Sequence, residues 1–182
     1  MSTPKLLTIS GSLRKGSFNR MLLKEAVKAF GDAEVAEADL NLPLYDGDLE
    51  AAEGIPASVQ TLADQIKAAD GIVISSPEYN KGIPGVLKNA LDWISRVDGA
   101  VLKGKPTVVV SAAAGRTGGE TAQFMVGHCL TQLQVHLLPG PSVLVASAGN
   151  EFDDNGNLDN EIYQKALAAR MNGLRSFLTR YA

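Results

Sequence analysis

The chain has 182 residues, 45% of them hydrophobic and 20% charged, with a formal net charge of −3. That length supports one domain with a sizeable core, and the charge balance leaves no electrostatic footprint for nucleic acid. No apolar run approaches the ~20 residues of a membrane span, the start "MSTPK" lacks the apolar centre of a signal peptide, and the lone cysteine, Cys129, excludes an intrachain disulfide and a multi-cysteine metal site. A cytoplasmic protein with no nucleic-acid partner and no membrane span is expected.

"KLLTIS" (Lys5–Ser10) is a short apolar run that predicts a strand, and Ser17–Phe30 then carries Leu22, Leu23, Ala26, Val27 and Phe30 at helical spacing. "AEVAEADL" is a weaker second strand, and Asn41–Pro56, with its prolines and glycines, predicts a loop. A helix is expected over Ala57–Ala69. "GIVISS" (Gly71–Ser76) is a continuous β-branched run, the pattern of a strand buried on both faces of a parallel sheet. After "PEYNKGIPG", Gly85–Ser95 has helical spacing, "KPTVVVSAA" reads as another buried strand and "GGETAQFMVGHCLTQL" as a helix. "VHLLPGPSVLVAS" is a final extended stretch, and Asp159–Arg180 closes the chain as a helix.

Alternating strands and helices predict an α/β fold, a doubly wound five-stranded parallel sheet with helices on both faces. No internal repeat or linker interrupts it, so residues 1–182 are expected to form a single domain. In such a sheet ligands bind beyond the carboxyl ends of the strands. The loops after Ser10, Ser76 and Ser111 all lie at that edge.

The first loop, "TISGSLRKGSFNR" (Thr8–Arg20), has Gly11 and Gly16 at the separation of a Walker motif, but Ser17 and Phe18 stand where the lysine and hydroxyl should follow. The G-x-G-x-x-G spacing of a dinucleotide loop is also absent. What remains is a set of hydroxyls, backbone N–H groups and a guanidinium at a helix N-terminus, which suits a single phosphate monoester. Ser10, Ser12, Ser17 and Asn19 offer neutral donors, and Arg14 offers a forked, charge-assisted pair. The competing reading is that serine and asparagine simply cap the helix. In the second loop, "SSPEYNKGIPG" (Ser75–Gly85), prolines and glycines fix an irregular backbone and Tyr79 offers an aromatic face. Read plainly, it is a strand-to-helix turn with Pro84 in the first helical turn. The third, "SAAAGRTGGE" (Ser111–Glu120), is small enough for its backbone to approach a flat ligand, or is a loose connection.

Together "GSLRKGSFN", "PEYNKGIPGVLKNALDWISR" and "GGE" resemble the NADPH-dependent FMN reductase family of flavodoxin-like proteins, and within it the bacterial chromate and quinone reductases. The G-S-x-R-x-x-S-x-N and P-E-Y-N elements carry the resemblance, which spans nearly the whole chain. It implies FMN with its phosphate in the Ser10–Arg20 loop and its ring against the Pro77–Asn80 and Ser111–Gly115 loops. By position, Ser10, Arg14, Ser17 and Asn19 match phosphate contacts, with Ser12 and Phe18 as loop neighbours. Pro77, Glu78, Tyr79 and Asn80 match the flavin-ring loop, and Ser111, Ala112, Ala113 and Gly115 are its third-loop counterparts. Arg116 departs from the pattern and has no assigned place.

The resemblance also implies NADH or NADPH as cosubstrate and ping-pong hydride transfer to quinones, with chromate, azo dyes or ferric complexes as further acceptors. It implies a homodimer or a dimer of dimers, for which Leu87, Leu91, Trp93 and Ile94 offer more apolar surface than one helix face needs. Since the cofactor carries the chemistry, no catalytic side chain and no metal are expected. The alternative is a flavodoxin-type one-electron carrier, which would present a strongly acidic docking face.

Other tempting residues carry little. His128 and Cys129 are adjacent on a predicted helix and point apart, and His136 reads as a strand residue. "EFDDNGNLDNEI" has a glycine at the sixth position of a calcium loop but Ile162 at the twelfth, so it reads as a polar turn.

Overall fold

The computed structural model describes residues 3–181. The elements run β1 (Lys5–Ser10), α1 (Phe18–Phe30), β2 (Glu34–Ala38), α2 (Gly47–Glu53), α3 (Ala57–Ala68), β3 (Gly71–Ser75), α4 (Gly85–Ile94), β4 (Pro106–Ala112), α5 (Glu120–Gln132), β5 (His136–Leu137), β6 (Leu144–Val145) and α6 (Glu161–Tyr181). The strands are ordered β2-β1-β3-β4-β5, with β6 also beside β4, and every pairing is parallel. This is the doubly wound, flavodoxin-like arrangement expected from the sequence.

Period-two alternation sends each central strand's side chains into two cores. Leu7, Ile9, Ile72, Ile74 and Val109 point toward α3, α4 and α5, where Ile66, Leu87 and Leu130 are sealed from solvent. Leu6, Val73, Val108 and Val110 point the other way, toward Leu22, Phe30, Met171 and Leu174 on α1 and α6. Because both faces are covered, β1, β3 and β4 are buried almost throughout, which explains their unbroken apolar runs.

The fifth place in the sheet is shared by two short strands. β5 pairs with the start of β4 through Pro106↔His136, and β6 with its end through Ser111↔Leu144. Between them lie Pro139, Gly140 and Pro141, and proline has no N–H to donate to the ladder. Backbone bonds from Leu138 to Thr107 (2.9 Å) and from Ser111 to Val143 (2.9 Å) hold the interrupted stretch against β4.

Two expectations are corrected. Asn41–Pro56 is not all loop, because α2 forms within it, capped by the Asp46 carboxylate that accepts from the Asp48 N–H (2.9 Å). It has no buried residue, so no apolar stripe marked it. Nor do Leu87, Leu91, Trp93 and Ile94 face outward, since all four are buried in the chain's own core. Trp93 is fully enclosed, donates Nε1–H to the Pro43 carbonyl (2.8 Å) and meets Tyr45 edge-on at 5.0 Å. The apolar face of α4 thus closes the chain's own core and anchors the 41–46 segment.

Candidate functional site

The three sheet-edge loops meet around one cavity of about 600 Å³, a size typical of small-ligand pockets. Their convergence depends on Gly11, whose N–H extends the ladder to the Ser75 carbonyl (2.8 Å). A Cβ there would stand 2.9 Å from Pro84 and 3.0 Å from Pro77, so any side chain would push the first loop away from the second.

In the first loop, the Ser17 hydroxyl accepts from the Asn19 N–H (3.2 Å) and caps α1. Ser12 turns back on Ser10, whose hydroxyl donates to the Ser12 carbonyl and accepts its N–H, both at 3.2 Å. The N–H groups of Lys15, Gly16, Ser17 and Phe18 take no acceptor among the described residues. They gather at the positive end of α1. Arg14 makes only a long contact from its guanidinium to the Gly16 carbonyl (3.4 Å) and no ion pair, so its charge is unspent.

Asn19 works differently from its expected place among the donors. Its Nδ2 donates to the Ala112 carbonyl (2.8 Å), and its Oδ1 accepts from the Ser75 hydroxyl (2.8 Å) and the Ala112 N–H (3.1 Å). The buried amide therefore fastens α1 to β3 and β4 from below the cavity, on whose wall it still appears.

The second loop carries a tight turn. Tyr79 and Gly82 exchange backbone bonds of 3.3 and 3.0 Å, and the two residues between, Asn80 and Lys81, have φ of 51° and 64°. Two non-glycine residues in the left-handed region are costly, and both line the cavity. Glu78 holds the turn from one side: its carboxylate accepts from the Ala122 N–H (3.2 Å) at the start of α5 and pairs with Lys81 (3.2 Å). Burial pushes the Glu78 carboxyl upward, but the Ala122 N–H, the Lys81 ammonium and the Thr121 N–H outweigh it and leave the group below its ordinary value of 4.5. Tyr79 is half exposed at the cavity mouth.

The third loop enters α5 through Gly118 and Gly119, with φ of 63° and 88°. A Cβ on Gly118 would fall 2.5 Å from the Leu144 carbonyl carbon, so the loop can lie against β6 only with glycine there. Backbone bonds from Ala113 to Val145 (3.0 Å) and from Ala148 to Ala113 (3.0 Å) brace it from behind. Nothing lies within 4 Å of where a Cβ on Gly115 would stand, and that space is the open cavity.

Of the residues singled out in the sequence, Ser12, Arg14, Ser17, Phe18, Asn19, Pro77, Glu78, Tyr79, Asn80, Ala112, Ala113 and Gly115 line this one cavity. Ser10 and Ser111 do not. Both sit below it, Ser10 turned to Ser12 and Ser111 donating its hydroxyl to the Ser76 carbonyl (2.6 Å). Lys81, Ala114, Arg116 and Thr117 are additional lining residues. Arg116 thereby acquires a place, which its position inside the "SAAAGRTGGE" loop could have signalled. The wall holds three cations, Arg14, Lys81 and Arg116, against the single carboxylate of Glu78, so it favours an anionic ligand. Among the described residues, no group of three or more metal-ligating side chains occurs and no helix is long and apolar enough to cross a membrane.

The model of the NADPH-dependent FMN reductase family matches residues 4–150. The chain is 39% identical over 178 residues to an NAD(P)H-dependent FMN reductase of Pseudomonas aeruginosa, covering 97% of this chain and 96% of that one. It is 38% identical to a quinone reductase of Escherichia coli, covering 85% and 88%, and 35% identical to a 2-hydroxy-1,4-benzoquinone reductase of a Burkholderia species, covering 98% and 94%. Among solved structures, the flavoenzyme NAD(P)H:(acceptor) oxidoreductase FerB of Paracoccus denitrificans superposes with a TM-score of 0.87 at 29% identity, covering 98% of each chain.

The Glu78 environment yields a pH-dependent prediction. A carboxyl held below its unfolded value stabilises the fold above that value, and the contribution fades as pH falls through the lower native one. Glu78→Gln should therefore cost about 1 kcal/mol at neutral pH, and the deficit should shrink below the ordinary value of 4.5. Urea unfolding of both proteins across that window checks it; a deficit that stays constant in acid would remove the charge from the account.

Proposed function

The chain belongs to the NADPH-dependent FMN reductase family, and from that premise we propose that it passes hydride from NADH or NADPH to quinones through one shared cavity. The enzyme is an FMN-dependent NAD(P)H oxidoreductase. The observation that carries the proposal is the junction of three loops on a single cavity, with open backbone donors and an unpaired Arg14 at one end and Tyr79 at its mouth. The donor set fits the cofactor: the cationic first loop matches a terminal phosphate, and the side-chain-poor Ala112–Gly115 wall leaves room for a flat ring. When bound, FMN supplies the two-electron hydride chemistry that no side chain here provides.

In this reading Arg14 and the N–H groups of Ser17 and Phe18 bind the phosphate, with the Ser12 and Ser17 hydroxyls beside them. Pro77 to Asn80 and Ala112 to Gly115 flank the ring, and Ser10, Asn19 and Ser111 hold the loops from beneath. The N–H groups of Asn80, Ala114 and Gly115, which have no acceptor among the described residues, would steady negative charge developing on the ring. Tyr79 and the Arg116 side chain border the space left for nicotinamide or acceptor. Quinones are the favoured acceptors because two of the relatives are named for them; chromate, azo dyes and ferric complexes are looser ones. A one-electron carrier is disfavoured, since a net charge of −3 provides no strongly acidic docking face. The enzyme is read as a single cytoplasmic domain.

We place the homodimer contact on α5 rather than α4. Phe124 is 75% exposed and Met125 40%. Met125 also reaches the Tyr79–Gly82 turn, with its sulfur 4.0 Å from where a Gly82 Cβ would stand. An exposed apolar pair on α5, one member of which reaches the turn that borders the cavity, fits a subunit boundary beside the site. Phe124→Asp should shift the protein from dimer to monomer in sedimentation at micromolar concentration; a wild-type monomer with full activity defeats the assignment.

Cofactor identity and the role of Arg14 are tested together. Released flavin should have the mass of FMN, and Arg14→Ala should weaken its binding by about 1.5–3 kcal/mol in a fluorescence titration. Release of FAD, or unchanged affinity at matched salt, would overturn the phosphate assignment. The shared cavity also fixes the kinetics: donor and acceptor must alternate, so initial-rate plots at several fixed quinone concentrations should be parallel. Intersecting lines would mean that both substrates occupy the enzyme together.

A further inference from the structure

Arg170 is a charged side chain with the surroundings of an apolar one. It is 7% exposed, its Nε is sealed from solvent, and its guanidinium makes no hydrogen bond or ion pair among the described residues. An unpaired buried charge is among the costliest features a fold can carry, and burial also lowers the proton affinity of this guanidinium. Arg175, little more than one turn along α6, shows the ordinary solution. It donates to the Phe30 and Asp32 carbonyls (2.7 and 3.2 Å) and covers the Phe30 ring at 4.8 Å.

The position of Arg170 is specific. Its guanidinium lies against Gly140 in the interruption between β5 and β6: a Cβ on Gly140 would stand 2.7 Å from Nη1 and 3.3 Å from Cδ. A larger residue there would push Nη1 aside. One turn away on either side, α6 carries Ala166, Leu167, Gly173 and Leu174, none of which can pair with a guanidinium. The surrounding sequence also lacks a partner, for residues 133–150 and 162–180 contain no aspartate or glutamate, while His136, Lys165, Arg170, Arg175 and Arg180 all fall within them. The charged residues of these two segments are Lys165, Arg170, Arg175 and Arg180, and Lys165 is already paired with Glu161 just outside them (2.9 Å).

We propose that Arg170, seated against Gly140 at the open edge of the sheet, is the anchor of an oxyanion site that takes one phosphate or carboxylate group. A guanidinium presents two parallel donors that match either group. The site lies on the flank of the sheet beside β4, apart from the cavity beyond its carboxyl end, and stands independently of the flavin reading.

The test uses the FMN-saturated enzyme, titrated calorimetrically and melted with phosphate, acetate or chloride at equal ionic strength. Wild type should bind one equivalent of phosphate or acetate, and its Tm should rise by about 3–6 °C at tenfold the dissociation constant. A response to phosphate alone marks a phosphate-bearing ligand, and one to acetate alone a carboxylate-bearing one. Arg170→Met, which keeps the volume and loses the charge, should melt no lower than wild type in chloride and should ignore both oxyanions. Arg170→Lys, without the fork, should respond more weakly. The proposal fails if wild type shows neither heat nor shift with either oxyanion, or if Arg170→Met responds as wild type does. It fails equally if the methionine variant melts well below wild type in chloride or does not fold, because the charge would then already be paired within the chain.

Discussion

The candidate site depends on one buried amide. Asn19 stands in the first turn of α1, yet its side chain bonds to Ser75 at the end of β3 and to both backbone groups of Ala112 at the end of β4. Parallel strands diverge where the ladder stops, and polar groups exposed there in a dry interior must be answered. One amide, donor on one side and acceptor on the other, answers three of them. The first loop therefore has a fixed height above the sheet, and the other two loops have something fixed to close upon. Gly11 and Gly118 remove side-chain volume where those loops touch, but absent side chains position nothing without this tether.

On that rigid floor sits a strained rim. The left-handed pair Asn80 and Lys81 persists because neighbours over-determine it: Gly82 closes the turn, and Glu78 ties it to the N-terminus of α5. The carboxylate serves as a strut between the second and third loops, so a displacement of either is felt by the other. Strain held by surrounding bonds at a ligand cavity is a recurrent form of preorganisation.

Much of this was legible in the sequence, for identifiable reasons. Strands buried on both faces must be continuously apolar, so "GIVIS" and "TVVVS" announce themselves, and the three loops follow from the order of elements. The amphipathic α1 and α3 were equally plain. α2 was not, because a helix that buries nothing leaves no stripe; its only marks are the Asp46 cap and the acidic first turn. The direction of a side chain at a strand end was also beyond reach. Ser10 and Ser111 are expected among the ligand contacts but do not line the cavity, and Asn19, which reads as a loop donor or a helix cap, spends its amide on partners 56 and 93 residues away. Helical spacing alone leaves Trp93 open between core and interface for the same reason, since its acceptor lies 50 residues back in the chain.

The broken fifth strand has a colloidal consequence. An open parallel sheet ends in two rows of unsatisfied backbone groups that could template growth by a neighbouring molecule. Here one border is cut into two-residue pieces around Pro139 and Pro141, leaving no stretch long enough to seed a ladder. The opposite border, β2, turns the charges of Glu34 and Glu37 to solvent. Each side of the sheet thus carries its own stop against fibre-like extension, and an abundant protein with this fold can crowd without its molecules zipping together.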